Sequence, residues 1–518
     1  MRSCRAAAVF FILCAVSAGT AFTASAAGLS IQPVARPSGI PPGLLPRRGV
    51  RDPGFLRAAA GKVDITPDFS RERVYLAGYG AKGRRARSSR DALYARAVVV
   101  SDGERILAVV SVDSLGLGHG DVQALREESG FDGPKRLLFL ASTHSHAAPD
   151  LLGLWGPLPG MSGADEGYRL RLRAALARLL KELSARMEPV ILRSARTELD
   201  PRGLCTDLRD PRVLDPELGA VQLTARGGST IATLVRWSCH AEALGRANMQ
   251  ASADYPGFLC SRVEERAGGT CLFLPGLIGG LQSPEIDRSS GPEKEYAEAR
   301  RVGAAVADAV LAALARSGEK SLAGPVGMES VRVRLPVENS RYLLALPVLS
   351  RGRALFDEKG GRLSGPGIWA RTLRHWLAFP LPEALRPFVE SEVALARIGP
   401  VRLLGLPGEL FPELALGGYK GEYSFGRPIF RQDNAAPPKL SSAPKGPYLR
   451  SCLPKYGFIV GPADDEIGYI VPEYDFKTGP GRLLPRPPGH HYEETNSLGP
   501  RSTAILLEAA KKLVGCKR

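Results

Sequence analysis

Beyond its first few dozen residues, the sequence has no apolar run that approaches the ~18 unbroken residues a membrane span needs, which excludes an integral multi-span protein. Histidine is scarce: seven in 518 residues, at positions 119, 144, 146, 240, 375, 490 and 491. The eight cysteines include no Cys-x-x-Cys spacing, which argues against a cysteine zinc cluster. No internal repeat is visible, so solenoids and propellers are set aside. The 58 glycines and 42 prolines follow no collagen-like period and mark turns and long structured loops. Acid is the charge in short supply, 53 Asp and Glu against 69 Lys and Arg, for a net charge of +16. With 44% hydrophobic and 24% charged residues, the chain can bury a sizeable core and is not a disordered tail. Its cationic excess suits nucleic acid, an anionic membrane surface, or only a soluble basic shell.

The first residues speak to the compartment. Arg2 and Arg5 precede an apolar run from Ala6 to Val16, and Ala24-Ser25-Ala26 supplies a small-x-small cleavage site. That order reads as a signal peptide over residues 1–26, too short in its apolar part for an anchor, so a secreted or periplasmic protein is expected. Cys4 and Cys14 leave with it, and six cysteines remain, either as disulfides of unspecified pairing or as buried thiols. Residues 27–55, rich in Pro, Gly and Arg, read as a leader.

From residue 56 to 518 we expect one large mixed α/β domain, with central mixed sheets flanked by helices. Tyr94–Val100, Arg105–Val112, Arg136–Ser142 and Ser229–Ser238 read as strands, several of them apolar enough to be buried on both faces. Helical patterns cover Asp121–Gly130, Gly163–Met187, Tyr255–Ala267, Glu293–Ser317 and Thr503–Val514. Later strands fall at Val331–Pro336, Val393–Ile398 and Arg402–Leu406, and residues 338–387 read as an irregular insertion or lid.

Three histidines lie directly after predicted strands. In Thr143-His144-Ser145-His146 alternate residues share a face, so both imidazoles can point into one cleft, where they bind a metal or divide ligation and proton transfer between them. A pair hydrogen-bonded at a strand end is the plainer alternative. Ser238-Cys239-His240-Ala241-Glu242 adds the third, followed by Ala253-Asp254-Tyr255-Pro256-Gly257. Leu406-Pro407-Gly408-Glu409 places a carboxylate after a strand, as a metal ligand or as a first-turn acid favoured by the helix dipole. Asp113 is either a strand-end acid or a partner orienting a ligand histidine.

Eight short segments in order carry a resemblance. Gly61-Lys62-Val63-Asp64-Ile65-Thr66-Pro67, Leu76-Ala77-Gly78-Tyr79-Gly80 and Leu93-Tyr94-Ala95-Arg96-Ala97 precede the histidine pair. Cys239-His240, the Ala253–Gly257 segment, Leu406–Glu409 and Gly468-Tyr469-Ile470-Val471-Pro472 follow it. With them the chain resembles the neutral/alkaline non-lysosomal ceramidase family, zinc amidases that hydrolyse the N-acyl bond of ceramide, over about residues 57–515. The resemblance implies Zn2+ held by His144, His240, Glu409 and Tyr469. It implies catalytic roles for His146, for Tyr492 near the oxyanion and for Arg209 in Asp207-Leu208-Arg209-Asp210, and a substrate contact for Ser283.

The departures bear on substrate. Where the family has Gly-Asp-x-Ser-Pro-Asn, this chain has Gly280-Leu281-Gln282-Ser283-Pro284-Glu285, and Ala147-Ala148-Pro149-Asp150 replaces the usual glycines and proline. Family members often continue into a C-terminal immunoglobulin-like domain, which is not expected here. The resemblance therefore implies hydrolysis of a lipid N-acyl amide such as ceramide. Another metal hydrolase of esters or phosphoesters, and a non-catalytic binder of anionic lipid or glycan, stay open. The cluster Lys82, Arg84, Arg85, Arg87 and Arg90 shows no aromatic interleaving, so nucleic acid is not expected as a partner. It reads as a solvated loop or as a contact with an anionic membrane.

Overall fold

In the computed structural model, which describes residues 55–80, 82–317, 319–350, 352–378, 381–419, 421, 423–477 and 491–516, the apolar runs of the N-terminal part become strands buried on both faces. The expected signal peptide, the leader apart from Phe55, and His490 lie outside the described residues. Strand β1 (Arg57–Asp64) pairs antiparallel with β2 (Tyr94–Ser101), β2 antiparallel with β3 (Ile106–Val112), and β3 parallel with β4 (Arg136–Ser142). On the other side of β1 come β5 (Glu188–Glu198), β6 (Glu217–Ala225), β7 (Thr230–Trp237) and β8 (Thr270–Pro275), the last pair parallel. With Lys320–Ser321 on β5 this is a nine-stranded sheet of order β8-β7-β6-β5-β1-β2-β3-β4.

The period of two explains its place in the core. In β2, Ala95, Ala97 and Val99 face one side while Val98 and Val100 face the other. The first side packs on α1 (His119–Ser129) and α2 (Glu166–Ala185) through Val122, Leu125, Leu172, Leu176 and Leu180. Asp165 caps α2 by accepting from the Tyr168 N–H, which starts the helix inside the predicted Gly163–Met187 span. Each leucine buried this way contributes roughly 1.5–3 kcal/mol. Further along the same side, α3 (Asp254–Ala267) and α4 (Pro292–Arg316) cover Val235, Trp237 and Phe273.

The opposite side meets a second sheet. Strands β9 (Val326–Pro336), β10 (Phe388–Ile398) and β11 (Val401–Gly405) run antiparallel in turn, and β12 (Gly457–Val460) joins β11 in parallel. Leu355–Phe356 pairs with β10 as a fifth strand. Ala394, Ala396 and Ile398 of β10 pack against the first sheet, while Val389, Val393 and Leu395 face helices α5 (Gly365–Ala378) and α6 (Pro500–Leu513) through Ile368, Leu506 and Ala510. The result is a mixed α/β fold of four layers, helices, sheet, sheet, helices. The predicted insertion 338–387 forms short helices, Ser340–Leu344 and Leu346–Leu349, ahead of α5. Among the described residues no helix is long and apolar enough to cross a membrane. One disulfide, Cys452–Cys516, forms there, and Cys205, Cys239, Cys260 and Cys271 are buried free thiols.

Candidate metal centre

The chain delivers its candidate ligands from the carboxyl ends of strands that have parallel neighbours, the usual place for a site in an α/β sheet. After β4 the Thr143 N–H bonds to Val112 O at 2.8 Å, and His144 turns the chain with a φ of 63°. A left-handed non-glycine residue costs on the order of 1–3 kcal/mol and is held only where its surroundings demand it. Ser145 bridges in parallel to Ala241, so the His144–His146 loop lies beside the loop that follows β7 and carries His240. From the second sheet, β11 runs into Leu406-Pro407-Gly408, and Glu409 pairs in register with Tyr469. Gly408 is required there, because a Cβ would collide with the Gly468 carbonyl oxygen.

Backbone carbonyls assign the tautomers. His144 Nδ1 lies 2.9 Å from Leu115 O, and His240 Nδ1 lies 3.2 Å from Gln282 O. Each Nδ1 must therefore carry the hydrogen, which turns the lone pair of each Nε2 into the interior. Glu409 Oε2 stands 2.9 Å from His240 Nε2 and 3.7 Å from His144 Nε2. With both Nδ1 atoms carrying hydrogen, the contact between His240 Nε2 and Glu409 Oε2 calls for a proton or a cation between them. Two imidazoles and a carboxylate are a donor set that zinc accepts. His146 is buried as well, and neither of its ring nitrogens has a hydrogen-bond partner. The ligand atoms of His144, His146 and His240 lie within 4.8 Å of one another, so a buried cluster of three histidines that can hold a metal is present.

Electrostatics separates the histidines. Burial drives His144 down to about 4, with the His240 ring adding to the effect and Glu409 opposing it. Burial also holds His146 well below its ordinary value, helped by His144, His240, Arg84 and Arg288, so it is neutral at pH 7. For His240 burial again opposes the charged ring, but the hydrogen bond and charge of Glu409 carry it above its usual value. Burial raises Glu466 to about 8; its Oε2 lies 3.5 Å from His144 Nδ1.

The other predicted residues divide. Tyr469 and Tyr492 line the same cavity, their rings 6.3 Å apart, and the Tyr469 ring lies 6.4 Å from that of His240. Burial, then the charge of Glu409, pushes the Tyr469 phenol well up, so it ionises only beside a cation. Ser283 also lines the cavity, and its Oγ donates to Glu242 Oε1 at 2.5 Å. Arg209 is not brought to the cavity wall. Its buried guanidinium donates to Glu493 and Glu494 from Nη1, at 3.0 and 2.9 Å, and to Asp475 and Glu494 from Nη2, at 2.9 Å each. Asp113 touches no histidine; it accepts from Arg96 at 2.7 Å and from the Tyr94 N–H at 2.8 Å, so it is a strand-end acid.

Sequence reasoning passed over Glu242, Glu466 and Tyr79. Glu242 Oε2 lies 3.5 Å from His146 Nδ1, and the Tyr79 ring meets the His146 ring edge-on at 5.2 Å. The signal for Glu242 was its place two residues after His240, which in extended chain shares its face. The cavity they all border measures about 810 Å3, and its apolar wall includes Leu115, Leu154, Trp155, Leu281 and Ile467. That size and lining suit an organic substrate with a long apolar part.

No protein-family model and no curated protein sequence matches the chain. Solved structures do. Neutral ceramidase from Pseudomonas aeruginosa superposes with a TM-score of 0.60 at 17% identity, over 90% of this chain and 75% of that one. A ceramidase complexed with C2 gives 0.59 at 16% identity, over 89% and 75%. At these identities the likeness is one of architecture, and the chain has the fold of these ceramidase structures.

Proposed function

We propose that the chain is a divergent ceramidase-like hydrolase, exported from the cell, that cleaves the N-acyl amide bond of a lipid with the help of one zinc ion. The observation that carries this reading is the meeting of His144 Nε2, His240 Nε2 and Glu409 Oε2 beside a large, mostly apolar cavity that His144 and Glu409 line. His144, His240, Glu409 and Tyr469 would hold the ion. When bound, zinc supplies Lewis acidity, which polarises the acyl carbonyl and acidifies a water molecule.

The chain's own residues do the rest. His146 is neutral at pH 7 and has a free lone pair, so it takes a proton from the attacking water and returns it to the leaving amine. Glu242, 3.5 Å from His146 Nδ1, stabilises the imidazolium that forms. Ser283, tied to Glu242, borders the cavity as a candidate substrate contact, and the Tyr492 hydroxyl is the candidate donor to the oxyanion. Arg209 acts as a positioning residue, holding Glu493 and Glu494 just after Tyr492. The apolar wall takes the acyl chain.

The experiment is a substrate panel run on purified protein whose metal content has been measured. Fatty-acid release from N-acyl amides, lost with the metal in His144→Ala, is the expected result. Protein without bound zinc, or turnover of esters or phosphoesters with no amide cleaved, would overturn the proposal.

A further inference from the structure

The basic run from Lys82 to Arg90 separates into cations that are used and cations that are not. Arg84 is buried and bonds only to carbonyls: Asn248 O and Ala77 O at 2.8 Å, Gly245 O at 3.4 Å, and His146 O. Arg90 pairs with Glu293. Lys82, Arg85 and Arg87 are exposed, and none of them forms an ion pair among the described residues.

Three segments meet around Arg84. The Gly83 N–H donates to Gly156 O at 2.8 Å, the Ala251 N–H donates to Ser88 O at 2.9 Å, and the Arg90 N–H donates to Ala251 O at 2.8 Å. Segments 78–90, 152–164 and 243–253 are thus one surface, and each also lines the cavity, through Tyr79, Trp155 and Arg246 among others. Beside the cations this rim exposes large apolar side chains. Leu158, Met161 and Met249 are 45%, 46% and 49% exposed. None of the three segments contains an acidic residue.

From this juxtaposition we infer that the cavity rim docks on an anionic lipid bilayer. Lys82, Arg85 and Arg87 meet the headgroups, and Leu158, Met161 and Met249 enter the interface. A nucleic acid would use the cations and leave the apolar side chains in water, whereas a bilayer satisfies both. That the docked mouth draws its substrate from the bilayer rests on the proposed function; the docking itself does not.

Sedimentation with vesicles tests it, using pure phosphatidylcholine and an equal mixture with phosphatidylglycerol. The chain should bind the mixed vesicles, and less at high salt. Neutralising Lys82, Arg85 and Arg87 to Gln should lower partitioning on the order of 100-fold, at ~1 kcal/mol per cation. Leu158→Ser with Met161→Ser should lower it by about 10-fold or more. Turnover of a soluble short-chain amide should stay unchanged in both variants. His144→Ala should bind vesicles as the parent does, so a failed amide assay would sink the proposed function and leave docking standing. Equal binding to both vesicle types, or a charge variant that binds like the parent, would overturn the inference. So would binding lost only in Leu373→Ser with Leu377→Ser, two exposed leucines of α5.

Discussion

The proposed division of labour between His146 and the candidate metal ligands can be tested without touching a histidine. Gly78 has a φ of +74°, and a Cβ added there would stand 2.5 Å from His146 Nδ1 and 2.8 Å from its Cγ. Ordinary contact needs ~3.5 Å, so in Gly78→Ala the ring must retreat by about 1 Å. The left-handed backbone costs alanine roughly 1–2 kcal/mol, and the overpacking costs roughly 1–3 more. A retreat of that size in a proton-handling group lowers turnover on the order of 100-fold. Gly80→Ala is the control: its φ is +89°, but its Cβ would find nothing nearer than Arg246 Nη2 at 3.8 Å. The two variants should therefore share a loss of thermal stability and differ in turnover. Zinc content by mass spectrometry should be full in both, because His144, His240 and Glu409 are undisturbed. Gly78→Ala with parental turnover would refute the role given to His146. Gly78→Ala without zinc would move His146 into the ligand set.

Two further outcomes follow from buried charge. Arg209→Met leaves Asp475, Glu493 and Glu494 without their shared cation and should cost about 3–5 kcal/mol in urea denaturation, with Arg209→Lys recovering part; a variant of parental stability but no activity would make Arg209 a catalytic residue after all. Burial raises Glu413 from 4.5 to about 8, so the folded chain keeps a proton that the unfolded chain has already lost between those values. Its contribution is complete below about pH 4.5 and is lost as pH rises to about 8, on the order of 5 kcal/mol. Glu413→Gln should flatten that fall in a series of chemical denaturations, and an unchanged slope would refute the assignment.

What the sequence made legible was whatever a local pattern encodes. The unbroken apolar runs of β2, β3 and β4 announce strands buried on both faces, and the structure buries them between helices and a second sheet. The three histidines at strand ends were legible because small-residue loops after buried strands have few other reasons to hold imidazoles. By contrast, β5 alternates buried with half-exposed and charged positions, and it is held by β1 and β6, pairings that no local pattern announces. The left-handed turn at His144 is imposed by contacts with Leu115 and the Ala241 loop, so nothing at position 144 announces it. Arg209 and Asp113 show the same limit. A charged residue in a promising loop reads as chemistry until its partners are known, and here those partners are Glu493, Glu494 and Asp475 in one case and Arg96 in the other.

The placement of the candidate ligands has a thermodynamic consequence. His144 and His240 hang from loops of the first sheet, whereas Glu409 and Tyr469 follow strands of the second. The contact between His240 and Glu409 therefore joins the segments that follow strands of the two sheets. An ion held there binds the assembled chain and not the separated sheets, so it stabilises by mass action, about 2.7 kcal/mol at a free concentration 100 times its dissociation constant. The melting temperature should rise with added zinc and fall on chelation. In Glu409→Gln, which keeps the shape but removes the charge that brings the second sheet to the ion, it should respond to neither. A parent chain whose melting is indifferent to zinc would detach these four residues from any metal. A Gln variant that still responds would leave the ion to the three histidines and remove its reason for joining the sheets.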